Sequence, residues 1–198
     1  NMIRVAIIGG IGSGKSFISK LFGYPVFNAD NEVKYIYKKN RKCFNKLNKK
    51  LPKFIKTFPV RKEELILAIN SNKKNLKLIS SIVHPLVRES MKKFITKNKK
   101  RKLVILDIPL LIENKLNKKK DIIIFIQSKN SKVLQRLKKR PFFNGKLIKS
   151  LKENQVILSK KRKLANYIIN NNYSLHIMKK KINIIKKEIL NERNSFRY

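Results

Sequence analysis

Between Arg4 and Leu21 the chain reads R-V-A-I-I-G-G-I-G-S-G-K-S-F-I-S-K-L, and no other stretch restricts the fold as strongly. The apolar, β-rich run Ile3 to Ile8 predicts a strand. A glycine-dense loop follows, and then Phe17, Ile18 and Leu21 recur at helical spacing. Across this strand, loop and helix, Gly9, Gly14, Lys15 and Ser16 satisfy the spacing G-x-x-x-x-G-K-[ST] of a phosphate-binding loop. Average residue usage produces that spacing by chance in about one chain in a hundred of this length. The strand before and the helix after are the context the motif requires.

The residue types suit the chemistry. Phosphate oxygens need many donors close together, and glycines let a loop turn its backbone N–H groups inward with no Cβ in the way. The helix that follows aims its first N–H groups and positive dipole end at the same anion. Lys15 is expected to bridge the β- and γ-phosphates, and the Ser16 hydroxyl to ligate Mg²⁺. The expected nucleotide-binding set is Gly10, Ile11, Gly12, Ser13, Gly14, Lys15, Ser16 and Phe17, with ATP and Mg²⁺ as the implied cofactors.

A chain of 198 residues is long enough for one α/β domain with a sizeable core and a small appended subdomain. No apolar run approaches bilayer-spanning length. The early core strand leaves no room for a signal peptide. The single cysteine, Cys43, cannot make an internal disulfide, and no Cys/His group has zinc spacing. A reducing cytoplasm is the expected compartment. The charge is extreme, with 50 Lys and Arg against 11 Asp and Glu and a formal net charge of +39. Such a chain attracts polyanions. Its lysines, however, are spread along the whole length, and Lys, Asn, Ile, Phe and Tyr are together the residues of AT-rich codons. That distribution argues for codon bias over a dedicated nucleic-acid surface.

After the first helix, Tyr24 to Asn28 reads as a second strand, with Asn28-Ala29-Asp30 at its carboxyl end. Ligands in open α/β sheets sit at that end of the strands. Asp30 is therefore a candidate to meet a substrate hydroxyl, or else an N-cap for the helix over Val33–Tyr37. Lys38 to Val60 is rich in Lys and Asn and gives no clear periodicity. Arg61 to Ile69 predicts a helix with Leu65, Ile66 and Ile69 inward. Leu76 to Phe94 predicts one helix or two, interrupted near His84-Pro85 because proline disfavours helical geometry before it. Leu103 to Leu106 and Asp121 to Gln127 read as buried parallel strands. Asp107 closes the first of them, where it can serve the second shell of a magnesium ion or cap a turn. Ser131 to Arg140 predicts a helix with Arg136 and Arg140 on one face, able to clamp phosphates. Pro141 to Lys163 resembles a helical lid that excludes water. Tyr167–Ile169 is the last strand, Asn170–Asn172 a turn, and Leu175 to Leu190 a closing amphipathic helix.

This order of elements resembles small-molecule kinases of the nucleoside monophosphate kinase type. The finer pattern resembles the dephospho-CoA kinase family: G-G-I-G-S-G-K-S at Gly9–Ser16, N-A-D at Asn28–Asp30, V-H-P-L-V-R at Val83–Arg88, D-I-P-L-L-I-E at Asp107–Glu113, and Arg136 with Arg140. Gln155, Ala165 and I-N-N at Ile169–Asn171 continue it. The resemblance implies an α/β fold of the P-loop NTPase type, three-layered, with a parallel central sheet. It implies a core of about residues 2–30, 102–140 and 164–192, a helical acceptor-binding insertion of about 31–101, and a lid of about 141–163. The implied reaction is ATP-dependent phosphorylation of the ribose 3′-hydroxyl of dephospho-CoA, the last step of coenzyme A synthesis. Asp30 is then the catalytic base, with Lys15 and Arg140 neutralising charge. His84, Pro85, Pro109 and Leu110 join Asp30 in holding the acceptor, Asn171 joins the nucleotide-binding set, and the segment before Asn171 lies near the adenine. The implied partners are the two small-molecule substrates alone, with no specific nucleic acid, no membrane and a monomeric enzyme. A nucleoside or nucleotide kinase is the alternative within the class, and a basic nucleic-acid-binding ATPase the alternative outside it. Three family acids are replaced here: D-A-D reads Asn28-Ala29-Asp30, R-D reads Arg140-Pro141, and A-D reads Ala165-Asn166.

Overall fold

A computed structural model describes residues 2–72, 74–108, 120–138, 158–172 and 174–195. The chain forms two compact units, one of Asn1–Phe27 with Asn98–Tyr198 and one of Asn28–Lys97. The strands are β1 (Ile3–Gly9), β2 (Val26–Asn28), β3 (Leu103–Asp107), β4 (Ile122–Gln127) and β5 (Tyr167–Asn170). They make one five-stranded sheet in the order β2-β3-β1-β4-β5. β1 pairs in parallel with both β3 and β4, and β4 with β5, in a register that sets Val5 between Ile105 and Ile122. Parallel neighbours need crossover connections, which here leave both sheet faces covered. Hence successive residues of β1 and β3, not alternate ones, are buried: Val5 to Ile8 and Leu103 to Leu106.

On one face Val5, Ile7, Ile105, Ile124 and Ile126 pack with Ile18 and Phe22, from α1 (Lys15–Leu21) and the residue after it. Met178, Ile182 and Ile189 of the closing helix Leu175–Ser195 join the same cluster. Each fully buried side chain of this size contributes about 1.5–3 kcal/mol. At the amino end of the sheet, the Arg4 guanidinium donates to Asp121 Oδ2 at 2.9 Å, and both side chains are buried. The two groups tie the start of β1 to the residue preceding β4. No helix among the described residues is long and apolar enough to cross a membrane.

The helical unit contains α2 (Ala29–Lys39), α3 (Arg41–Lys50), α4 (Lys62–Ser71) and α5 (Lys74–Lys97). Several expectations are corrected here. The Lys/Asn-rich stretch is ordered by a sparse apolar stripe, Cys43 and Leu47 with Leu51 and Ile55 beyond them, and by capping. Asn40 accepts from Cys43 N–H at 2.9 Å to start α3, and Asn48 donates to the Ile55 carbonyl at 2.7 Å. Glu64 Oε1 accepts from the N–H groups of Lys56 and Thr57, both at 3.1 Å. The inward face of α4 is Leu65 and Ala68, while Ile66 is exposed. α5 runs unbroken through His84-Pro85. Pro85 lies on the exposed side, as does Ser81, whose carbonyl loses its helical partner to the proline and can take water instead. Burial pushes the Tyr37 hydroxyl up to about 12 and raises the Cys43 thiol, so both stay neutral inside this unit.

Candidate nucleotide-binding site

The phosphate loop leaves the carboxyl end of β1, between β3 and β4, where a parallel sheet opens its ligand crevice. Its shape depends on glycine. Gly12 and Gly14 have φ values of +75° and +92°, left-handed backbone that a side chain strains. A Cβ on Gly9 would stand 2.5 Å from the Ile126 carbonyl oxygen. Gly14 is the N-cap of α1, and its carbonyl accepts from Ile18 N–H at 3.0 Å. The motif therefore serves the packing of loop against sheet as much as the loop's concavity.

Lys15 turns back across the loop. Its ammonium donates to the carbonyls of Gly10 at 2.9 Å and Gly9 at 3.1 Å, which holds the charge over the loop that the sequence assigns to phosphates. Ser16 Oγ donates to Asp107 Oδ2 at 2.6 Å. A hydroxyl and a carboxylate in contact, both hard oxygen donors, are the pair that magnesium selects. Asp107 is buried at the end of β3 and holds the Ser16 hydroxyl. Ser13 Oγ is buried with no hydrogen-bond partner among the described residues, a polar atom available to an anion. Ile11 and Phe17 are exposed beside the loop, and Gly10 stands next to Leu158.

Three residues beyond the motif grip the crest of the loop. From α6 (Asn130–Lys138), Arg136 Nη1 donates to the carbonyls of Gly12 at 3.1 Å and Ser13 at 3.3 Å, and to Ser128 Oγ at 3.0 Å. Its Nη2 donates to the Asn171 carbonyl at 3.0 Å. Asn171 is buried, and its side-chain amide donates to the Ser13 carbonyl at 2.8 Å. Ser128 donates to the same carbonyl at 3.0 Å. Arg136 was expected to clamp phosphate, but its guanidinium is committed to protein carbonyls. Ser128 was not foreseen, although a small hydroxyl residue just past β4, at the ligand end of the sheet, is a signal that a reading by position could use.

In the helical unit Asp30 is exposed in the first turn of α2, directly after the carboxyl end of β2. It is not the N-cap. Asn28 is, accepting from Asn31 N–H at 2.8 Å. His84 is half-buried on α5 and Pro85 exposed beside it. A hollow of about 360 Å³ lies in this unit between α2, α5 and the start of α3, and its lining includes Glu32, Tyr35, Arg41 and Glu89. The Lys93 ammonium at 2.6 Å holds the Glu89 carboxyl below its ordinary range. Arg140, Pro109, Leu110 and residues 141–157 of the expected lid lie outside the described residues, while 158–163 are helical.

Comparison with known proteins gives a consistent result. The sequence profile of the dephospho-CoA kinase family matches residues 3–176. A dephospho-CoA kinase of Wolbachia pipientis wMel is 33% identical over 175 residues, covering 86% of this chain and 89% of that protein. One from Bartonella henselae is 32% identical over 200 residues, covering 94% and 97%. Among solved structures, dephospho-CoA kinase from Campylobacter jejuni superposes with a TM-score of 0.69 at 21% identity, covering 96% of this chain and 98% of that one. At that identity the superposition bears on the fold.

Proposed function

The chain belongs to the dephospho-CoA kinase family, and from that premise we propose how its residues share the transfer of the γ-phosphoryl group of ATP to the ribose 3′-hydroxyl of dephospho-CoA. The products are coenzyme A and ADP. A new P–O bond forms to the ribose oxygen, the bond from the γ-phosphorus to the bridging oxygen breaks, and the hydroxyl proton leaves to a base. Little covalent help is needed, so the protein's task is positioning and charge neutralisation.

The backbone N–H groups from Gly10 to Phe17 hold the phosphates, and Lys15 spans the β- and γ-oxygens. The left-handed backbone of Gly12 and Gly14 and the lysine held across the loop support this. Ser16, with Asp107 behind it, would hold Mg²⁺. When bound, that ion would supply neutralisation of the phosphates' charge. Asp30 takes the hydroxyl proton; its exposure at the end of β2 leaves the carboxylate hydrated and open to an acceptor. His84 and Pro85, in the helical unit 28–97, help hold the acceptor. By resemblance alone Pro109 and Leu110 do so too, and Arg140 joins Lys15 in neutralising the developing charge, with 141–163 as the lid. Asn171 serves the nucleotide side through the loop. The enzyme is proposed to act as a monomer. A buried free thiol, Cys43, suits the reducing cytoplasm.

The observation that carries this reading is the contact of Ser16 with Asp107 beside Lys15 on the loop, because it sets a hard cation site against a phosphate cradle. The test is an acceptor panel with ATP and Mg²⁺, products identified by mass. Phosphorylated dephospho-CoA is the expected product. A preference for free nucleosides or nucleoside monophosphates, or ATP hydrolysis stimulated by nucleic acid, would overturn the assignment. Asp30→Asn is expected to lower kcat by about 10²–10⁴ with little change in ATP affinity; retained turnover would remove Asp30 as the base.

A further inference from the structure

We propose that Arg136, acting with Asn171, is a positioning residue for the nucleotide's phosphates: it touches no phosphate and instead holds the crest of the loop in the backbone shape that binds them. The proposal rests on reading Gly9–Ser16 as the nucleotide loop and adds to that reading a residue outside the motif.

The need for a brace follows from the loop's own sequence. Ser13 sits between Gly12 and Gly14, both with positive φ. Glycine visits either sign of φ with similar ease, so the peptide plane between Ser13 and Gly14 can flip at little intrinsic cost, and Gly12 leaves its own ψ free on the other side. A flip would turn a carbonyl oxygen toward the phosphates where an N–H is needed. In a trans peptide the C=O and N–H point to opposite sides. Fixing the Gly12 carbonyl therefore fixes the Ser13 N–H, and fixing the Ser13 carbonyl fixes the Gly14 N–H.

Those are the two carbonyls that Arg136 Nη1 holds, at 3.1 and 3.3 Å. The Asn171 amide and the Ser128 hydroxyl converge on the second of them, at 2.8 and 3.0 Å. Nη2 meanwhile holds the Asn171 carbonyl at 3.0 Å, so the brace is itself braced. The loop, the strand end at Ser128 and the turn after β5 thus meet on one guanidinium. A forked, planar donor can do this, and a single ammonium cannot reach all of these acceptors at once. A Cβ on Gly14 would run into the Asn171 amide nitrogen, which shows how closely the brace seats on the loop.

The test uses the full chain and calorimetric binding of ATP, ADP and AMP, with the unliganded melting temperature measured alongside. Arg136→Lys keeps the charge but loses the fork. It is expected to weaken ATP and ADP about tenfold while moving AMP less than about threefold. Arg136→Ala is expected to do at least as much. Combined with Asn171→Ala, it should cost less than the sum of the two single losses, because both groups hold the same Ser13 carbonyl. Full ATP affinity in Arg136→Lys would overturn the proposal, as would equal loss of all three nucleotides or strict additivity in the double variant. Failure of the nucleotide reading itself is told apart by the unsubstituted chain, which would then bind no ATP.

Discussion

Lys15 is both the most legible residue of the chain and the one with the most to lose. Its identity follows from the motif, and its ammonium lies across the carbonyls of Gly9 and Gly10. Replacing it with alanine is expected to lower kcat/KM by about 10³ in a steady-state assay, since a positive charge preorganised at a transferring phosphoryl group is worth several kcal/mol. The residues that depart from the family pattern behave differently. Asn28 and Asn166 stand where the family usually has aspartates, yet each still presents an acceptor oxygen. Asn28 caps α2 at 2.8 Å, and Asn166 Oδ1 accepts from Ile123 N–H at 2.8 Å. An aspartate could accept the same two bonds, so what these asparagines lack is the charge. Asn28→Asp is therefore expected to stabilise the fold by about 0.3–1 kcal/mol through the dipole of α2, and Asn28→Ala to cost about 1 kcal/mol. Denaturant unfolding of the three proteins checks both signs. The sequence alone left Asp30 between cap and base because it cannot say which of two neighbouring polar residues takes the cap. Asn28 takes it, and that leaves Asp30 exposed.

The elements were readable where burial imposes a period. β1, β3 and β4 are continuous apolar runs because both their faces are covered, and α1 and the closing helix carry clear stripes. In α3 the buried period rests on Cys43 and Leu47 alone, set among lysines and asparagines, which is why that helix is hard to read in the Lys/Asn-rich stretch. α5 was misread for the opposite reason: a local rule about proline gave way to a long helix whose buried face, Ile79, Val83, Val87 and Met91, skips Pro85. No periodicity could have announced the carbonyl brace at the loop, since its parts are far apart in sequence. The same holds for Arg4 and Asp121, 117 residues apart in the chain. Their bond lies at the amino end of the sheet, while the phosphate loop leaves the carboxyl end. Arg4→Met is expected to cost about 3–5 kcal/mol of stability by taking the guanidinium from a buried carboxylate, and the double change with Asp121→Leu to recover most of it. ATP affinity should be unchanged in whatever fraction folds. Melting curves and binding measurements on the same samples separate the two effects.

At the scale of the whole molecule the dominant fact is a surplus of 39 positive charges. With 50 basic side chains against 11 acidic ones, internal pairing can neutralise only a minority. The remainder act in two directions at once. They repel one another, which opposes compactness, and they draw polyanions such as ATP and dephospho-CoA toward the molecule. Both effects act over distances comparable to the Debye length, about 10 Å at 0.1 M salt, so both weaken as salt is added. Their consequences have opposite signs. Raising NaCl from about 50 to about 200 mM, the range over which counterion effects are usually resolved, is expected to raise the melting temperature as self-repulsion is screened. Over the same range kcat/KM for ATP is expected to fall several-fold, with kcat at saturation nearly constant, because groups in contact with bound phosphate are screened far less than the approach to them. A drop in kcat parallel to kcat/KM would place the salt effect on the bound complex instead. A melting temperature that falls with salt would mean that the charges are arranged to attract one another, which a surplus of 39 like charges makes hard to achieve.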